Sequence, residues 1–252
     1  TQVYVFGLRE VDQKPIALLG NYGLHYVGGV PRGQISADYF AVFANEASTR
    51  LGDPEGFVGL MSNGTSGDVN ANNFRGPRKR YPAFGRMTEI GKNLAGHAVE
   101  SFRKASFSRE LKIAVAQTEL SLAVRKPNAA RLKWARGIVA KAKPTARPTR
   151  QVIYAREALG LHEFPDRVSI ILQAFRIGDL AIAAIPNEVF AETGLAIKHA
   201  SPFKDTFTIE LANGYSGYLP TKQQHKWGGY ETWPARSSFL EVDAESKIRK
   251  TV

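Results

Sequence analysis

The sequence contains no cysteine among its 252 residues, which excludes disulfides and thiolate metal ligands. This leaves a secreted or periplasmic location open, because disulfides are permitted there but not required. No apolar run approaches the roughly 18 residues that a membrane-spanning helix needs. The longest runs, residues 168–177 and 180–186, are broken by Gln173, Arg176 and Asp179.

No signal peptide opens the chain, which begins at Thr1 rather than at a methionine and continues at once into a predicted strand. This start indicates a processed or partial chain that lacks an upstream segment. One alternative makes Thr1 an N-terminal nucleophile, but no accompanying pattern supports it.

Histidine pairs with short, metal-binding spacing are also lacking. The histidines are scattered along the chain at positions 25, 97, 162, 199 and 225. Spacing alone therefore predicts no metal site.

The positive charge is concentrated in one window. Residues 121–150 carry nine lysines and arginines and no acidic residue, which leaves about +2 of the net charge of +11 for the rest. The window has one aromatic residue, Trp134, whereas nucleic-acid surfaces usually combine basic residues with several aromatics or glycine-rich loops. A solvated face, or an anionic membrane surface contacted through residues 125–150, is favoured over nucleic-acid binding.

Strand-like and helix-like segments alternate, which predicts an α/β protein with a mixed β-sheet core covered by helices. We interpret residues 1–252 as a single catalytic-type domain with a surface linker near residues 141–149. The nearly continuous apolar segments 168–177 and 180–185 predict two strands covered on both faces. Ser36 and Asn187 are predicted to cap the helices that follow them.

Four polar segments follow predicted strands, where α/β proteins place their chemistry. The first is residues 21–25, ending in His25, and the second is the Gly- and Asn-rich loop 62–70, whose backbone N–H groups can approach an anion. The third is residues 185–188, ending in Glu188, and the fourth is the tyrosine-rich segment 213–218 with Tyr230 and Trp233 beyond it. Each has a structural alternative: a satisfied histidine, a turn-rich connection, a carboxylate at a helix N-terminus, and core aromatics.

In this order the segments resemble the motifs of the neutral/alkaline ceramidases. That family has an aromatic-Ala-x-His segment and then Ser-x-Asp, matched by Tyr22-Gly23-Leu24-His25 and Ser36-Ala37-Asp38. Its Asn-x-Gly-Asp-x-Ser-Pro-Asn loop is matched by residues 65–70, and its Pro-Gly-Glu turn by residues 186–188. Its Asn-x-Tyr-x-x-Tyr-x-x-Thr motif is matched by residues 213–221, with Tyr230 following twelve residues after Tyr218.

The resemblance implies a zinc-dependent amidase acting on ceramide or another N-acyl lipid. One Zn²⁺ would be held by His25, Glu188 and Tyr218, where imidazole and carboxylate are ordinary zinc ligands and phenolate a rarer one. Tyr230 would hydrogen-bond the substrate carbonyl oxygen or the tetrahedral oxyanion. Zinc-activated water would attack the amide.

The remaining site residues follow from the same motifs. Asn70 is implied as a catalytic residue, and Asp68, Gly67 and Tyr215 as substrate-binding residues. The family works on lipids outside the cytoplasm, which implies a secreted or periplasmic protein.

Two departures keep alternatives open. Asn70 stands where the family has serine, and an amide can orient substrate or water but cannot act as a nucleophile. The family's further histidine ligand lies upstream of the first residue here, and its C-terminal β-sandwich has no counterpart. A degenerate relative that binds a lipid or glycan without hydrolysis is the second hypothesis, and a basic nucleic-acid-binding protein is the third.

Overall fold

A computed structural model of the chain describes residues 2–77, 79–144 and 147–252. Thr1, the nucleophile of one alternative above, lies outside the described residues, as do two residues of the predicted linker 141–149. The chain divides into two compact units, Thr1–Lys112 (unit 1) and Ile113–Val252 (unit 2). No helix in the described ranges is long and apolar enough to cross a membrane.

Unit 1 contains a three-stranded mixed sheet and two helices. Strand β1 (Tyr4–Arg9) pairs antiparallel with β2 (Pro15–Tyr22), and β2 pairs parallel with β3 (Val58–Asn63). Helices α1 (Asp38–Arg50) and α2 (Gly85–Lys104) pack on each other, and their buried faces form one core with Leu18 of β2. This order brings the carboxyl ends of the parallel strands β2 and β3 to the same edge of the sheet.

Unit 2 contains a four-stranded mixed sheet in the order β4 (Ile113–Ala123), β5 (Arg167–Ile177), β6 (Leu180–Ile185) and β8 (Asp205–Glu210). The first two pairings are antiparallel and the last is parallel. A separate parallel pair joins β7 (Glu188–Val189) to β9 (Tyr218–Leu219). This small sheet carries two of the predicted site residues.

Four helices of unit 2 form two packed pairs. Helices α3 (Ala129–Lys141) and α4 (Arg150–Glu163) pack together through a small alanine-rich core. Helices α5 (Ala191–Ala200) and α7 (Ala244–Thr251) pack on each other near the main sheet. Helix α6 (Lys222–Trp227) and a short 3-10 helix, Tyr230–Thr232, follow β9 along the chain.

The predicted α/β class with mixed sheets is confirmed, and three local predictions are wrong. Ser36 does not cap α1, because its hydroxyl accepts from the Asp38 N–H while Ala37 occupies the cap position. Asn187 does not cap a helix either, because β7 intervenes and α5 starts at Ala191. Strand β5 is only partly covered and its neighbour β4 is largely exposed, whereas β6 is buried over most of its length.

Candidate active site

The first group of predicted site residues lies in unit 1, where β2 and β3 end. Tyr22 and Asn63 are register partners, so the segment leading to His25 and the loop that begins at Gly64 leave adjacent parallel strands side by side. Ligands in α/β proteins bind outside the carboxyl ends of parallel strands. The topology therefore places His25 and loop 64–70 at the edge where chemistry is expected.

His25 is tied to that loop by two contacts. Its backbone N–H donates to the carbonyl of Val69 at 3.1 Å, and its ring Nδ1 lies 3.2 Å from the hydroxyl oxygen of Ser66. Ser66 is fully buried, and its hydroxyl also accepts from Asn63 Nδ2 at 3.1 Å. A hydrogen bond at one ring nitrogen fixes the orientation of the ring and which nitrogen presents a lone pair.

Glycine is required where the two segments touch. A Cβ on Gly23 would lie 2.6 Å from the carbonyl oxygen of Thr65, and one on Gly64 would lie 2.9 Å from the backbone nitrogen of Gly23. Real side chains do not tolerate such contacts with backbone atoms. The glycines therefore allow the two segments to run in direct contact.

Asp38 holds the far side of the His25 segment, a role that the sequence did not predict. Its carboxylate accepts from the N–H groups of Val27 at 3.0 Å, Gly28 at 2.7 Å and Tyr39 at 2.7 Å. The Tyr39 hydroxyl donates to the carbonyl of Leu24 at 2.7 Å. The start of α1 thus anchors the chain on both sides of His25. The Ser-x-Asp motif is the sequence signal from which this role could have been predicted.

The site residues predicted in this loop, Asn70 as catalytic and Gly67 and Asp68 as substrate-binding, differ in exposure. Gly67 is buried, whereas Asp68 and Asn70 are exposed. The side-chain oxygen of Asn70 accepts from Asn72 Nδ2 at 3.1 Å. All three lie on the loop that contacts His25.

The second group of predicted site residues lies in unit 2, on β7 and β9. Glu188 and Tyr218 are register partners in this parallel pair, so their side chains leave the same face of the small sheet. The structural alternative for Glu188, a carboxylate in the first turn of a helix, is wrong because Glu192 occupies that position in α5. Glu188 is instead placed by backbone pairing beside a tyrosine.

Two further predicted residues join this group. The Tyr215 hydroxyl donates to Glu188 Oε1 at 3.1 Å, and the hydroxyls of Tyr218 and Tyr230 are 3.4 Å apart. The rings of Tyr218 and Tyr230 meet edge to face with centroids 5.7 Å apart. Burial, followed by the hydrogen bond with Tyr230 and the charge of Glu188, raises the pKa of Tyr218 above its usual value. The phenol is therefore held neutral when no cation is next to it.

Two residues that the sequence did not assign to the site hold this group in place. Asn187 is fully buried and its Nδ2 donates to the carbonyls of Ser216 at 2.9 Å and Gly217 at 3.0 Å, which fixes the segment before Tyr218. Arg125 donates to the carbonyls of Thr232 at 2.8 Å and Ser238 at 2.6 Å. Because Thr232 belongs to the 3-10 helix that starts at Tyr230, Arg125 fixes the position of that helix.

Arg125 is an exception to the interpretation of the basic window as a solvated face, which the exposure of most other basic residues in the window fits. Burial lowers its pKa to about 10, so it stays charged at neutral pH while its guanidinium is occupied by carbonyls. Lys126 likewise donates to the carbonyls of His162 and Phe164. These two cations have structural roles.

The predicted site residues therefore form two groups, one in each unit. His25 and the loop with Gly67, Asp68 and Asn70 come together in unit 1. Glu188, Tyr215, Tyr218 and Tyr230 come together in unit 2. Within the described ranges, no three or more His, Cys, Asp or Glu side chains are grouped so that they could hold a metal ion.

No family model matches the chain, and no curated protein matches it. Solved structures do match the chain. One, described as a ceramidase complexed with C2, superposes with a TM-score of 0.68 at 16% identity. The fold is that of a ceramidase. Neutral ceramidase from Pseudomonas aeruginosa gives a TM-score of 0.64 at 13% identity.

The ceramidase fold extends over the whole chain but not over the whole of those proteins. The matches cover 98% and 99% of this chain, and 46% and 45% of the two solved chains. The chain thus spans slightly less than half the length of these ceramidases. The resemblance read from the sequence motifs is confirmed at the level of the fold.

Proposed function

We propose that the protein is a zinc-dependent amidohydrolase that cleaves the amide bond of ceramide or a related N-acyl lipid. The observation that carries the proposal is the Glu188–Tyr218–Tyr230 group, because three motif residues distant in sequence are in contact in unit 2. The ceramidase fold of the chain supports the same reaction class. From the family resemblance of the sequence motifs we also propose that it acts outside the cytoplasm, at membrane surfaces.

The donor set has the chemistry of a zinc site. His25 would supply an imidazole nitrogen and Glu188 a carboxylate oxygen, which are ordinary zinc ligands, and Tyr218 would supply a phenolate oxygen, which is a rarer one. The Ser66 hydroxyl beside His25 Nδ1 is the kind of outer contact that orients a metal-bound imidazole. A dication beside Tyr218 would reverse the local preference for the neutral phenol.

The metal would supply Lewis-acid polarisation of the carbonyl and a water acidified toward hydroxide. Side chains of this protein would stabilise the developing charge and position the ligands. Tyr230 is half exposed and its hydroxyl lies 3.4 Å from that of Tyr218. This hydroxyl would donate a hydrogen bond to the carbonyl oxygen as negative charge develops there. Tyr215 holds Glu188 Oε1 and would limit the rotation of that carboxylate.

Loop 64–70 would orient the substrate. Asp68 and Asn70 are exposed, so their side chains would face the polar groups around a bound amide, and Gly67 lets the backbone come close. Asn70 already accepts from Asn72, so its NH₂ group would act as a donor to substrate or water. Because an amide cannot form an acyl intermediate, attack falls to water.

Elemental analysis of the purified protein, with His25→Ala, Glu188→Gln and Tyr218→Phe as variants, tests the zinc assignment. We expect about one zinc per chain and loss of most of it in each variant. His97→Ala is the matched histidine control, because His97 is an exposed residue of α2 and should leave zinc content unchanged.

Turnover is tested separately with a fluorescent N-acyl sphingosine. Tyr230→Phe should keep its zinc and lower kcat by about a hundredfold or more, as loss of an oxyanion donor does. Zinc that is indifferent to all three ligand changes would refute the amidase assignment. Stoichiometric zinc without turnover would instead favour the degenerate, lipid-binding alternative that Asn70 raises.

A further inference from the structure

Unit 2 contains a cleft that the proposed reaction does not use. It has a volume of about 840 Å³ and lies between α3, α4 and residues 233–234. Ligand pockets in proteins typically measure about 300–1,000 Å³. Glu188, Tyr218 and Tyr230 are not among its lining residues, so it is distinct from the proposed zinc site.

The walls of the cleft are mostly apolar. Helices α3 and α4 meet through Ala135, Ala155 and Ala158, and these small side chains leave Trp134 and Tyr154 only partly buried. Tyr154 packs edge to face on Trp233 at 5.1 Å between ring centroids. Ala158 and Leu161 also line the cleft, and such apolar side chains suit an aliphatic chain.

The charged residues of the lining are all basic. The guanidinium of Arg131 lies 3.8 Å from the centre of the Trp134 ring, and that of Arg150 lies 5.6 Å from the centre of Trp233. Arg125 and Lys126 also line the cleft but are occupied by backbone carbonyls. Arg131 and Arg150, both exposed, are therefore the cations that a bound anion would meet.

We propose that this cleft binds an amphiphile with an acyl chain and one anionic headgroup. The apolar walls would take the chain, and Arg131 and Arg150 would hold the anion. A free long-chain carboxylate and an anionic membrane lipid share this chemistry. Single-stranded nucleic acid is the competing occupant, because its bases can stack on aromatic rings. The aliphatic side chains of Ala158 and Leu161 in the lining favour an acyl chain over it.

Isothermal titration calorimetry with monomeric dodecanoate tests the proposal. The double variant Arg131→Gln/Arg150→Gln should bind about tenfold more weakly, since it loses two exposed ion-pair contacts. Arg136→Gln/Arg156→Gln is the matched control, because it removes the same charge from the same two helices at exposed positions outside the cleft, and its affinity should be unchanged. Dodecyltrimethylammonium, with the same chain and opposite charge, should bind at least tenfold more weakly than dodecanoate.

Sedimentation with vesicles of phosphatidylglycerol or phosphatidylcholine distinguishes the two sources of the ligand. Binding of both dodecanoate and phosphatidylglycerol vesicles, weakened only by the cleft variant, would make membrane lipid the source. Binding of dodecanoate alone would make it a free carboxylate. Equal losses in the two double variants, equal binding of the cationic detergent, or displacement of dodecanoate by a single-stranded oligonucleotide at lower concentration would overturn the proposal. Because no readout involves zinc or turnover, these results do not depend on the proposed amidase activity.

Discussion

Replacing Asp38 with asparagine should loosen the segment that carries His25. Asp38 is 7% exposed and has a positive φ of 54°, a conformation that asparagine tolerates as well as aspartate does. The change therefore leaves shape and backbone preference nearly intact. It replaces one carboxylate oxygen with an NH₂ group that cannot accept a hydrogen bond.

The cost follows from the three N–H groups that the carboxylate accepts. Oδ1 accepts from Val27 and Tyr39, and Oδ2 accepts from Gly28. In either orientation of the asparagine amide, its NH₂ group therefore faces at least one of these N–H donors. The lost bond costs about 1 kcal/mol, and the bonds that remain change from a charged to a neutral acceptor at about 0.5 kcal/mol each. The free energy of unfolding should fall by about 2 kcal/mol.

Urea denaturation at constant m-value measures this loss, and hydrogen exchange at the Val27 and Gly28 amides locates it. Asp53→Asn is the matched control, since Asp53 also has a positive φ, of 48°, but is exposed. The control should stay within about 0.5 kcal/mol of the wild type. A loss under about 0.5 kcal/mol for Asp38→Asn, or an equal loss for the control, would refute the anchoring role of Asp38.

Three further outcomes are expected. Gly64→Ala should lower the free energy of unfolding by about 2 kcal/mol, because the added Cβ would lie 2.9 Å from the backbone nitrogen of Gly23. Gly137→Ala, at an exposed position of α3 with no atom within 4 Å of the new Cβ, should raise it by about 0.5–1 kcal/mol in the same urea assay. Burial, followed by the charge of Arg125, lowers the pKa of His225 to about 4, so its NMR titration should show a neutral ring until the pH falls near that value. Because the unfolded chain takes up this proton near pH 6.5, stability should fall as the pH drops from about 6.5 to 4, and His225→Gln should flatten that slope.

Much of the local structure could be predicted because its signal is contained within a few residues. The β1–β2 hairpin, the amphipathic helix α2 and the turn at Gly178 between β5 and β6 all follow from such patterns. Helix α4 gave a weaker signal, because two of its three buried residues are alanines. Small side chains make an apolar stripe hard to distinguish from a mixed surface.

The candidate site could be predicted only in part, because its geometry depends on pairing over long sequence distances. The sequence around Glu188 is typical of a helix start. Only the pairing of β7 with β9, thirty residues later, places Glu188 in a strand. Arg125 lies in a charged window, where its sequence neighbours gave no sign of the carbonyls of Thr232 and Ser238. The motif residues themselves could be predicted, because the resemblance to the family supplied their order along the chain.

The backbone around Glu188 and Tyr218 is held by hydrogen bonds in which their two side chains take no part. The N–H of Glu188 donates to the carbonyl of Gly217 at 3.0 Å, that of Ser216 donates to Pro186 at 2.6 Å, and Asn187 closes the same junction. Substitutions at positions 188 and 218 should therefore leave the backbone junction in place, whatever they do to the zinc and substrate binding that we propose for these two side chains. A laboratory evolution experiment that seeks a new hydrolytic specificity on this fold would do best to randomise those two positions and leave Asn187 untouched.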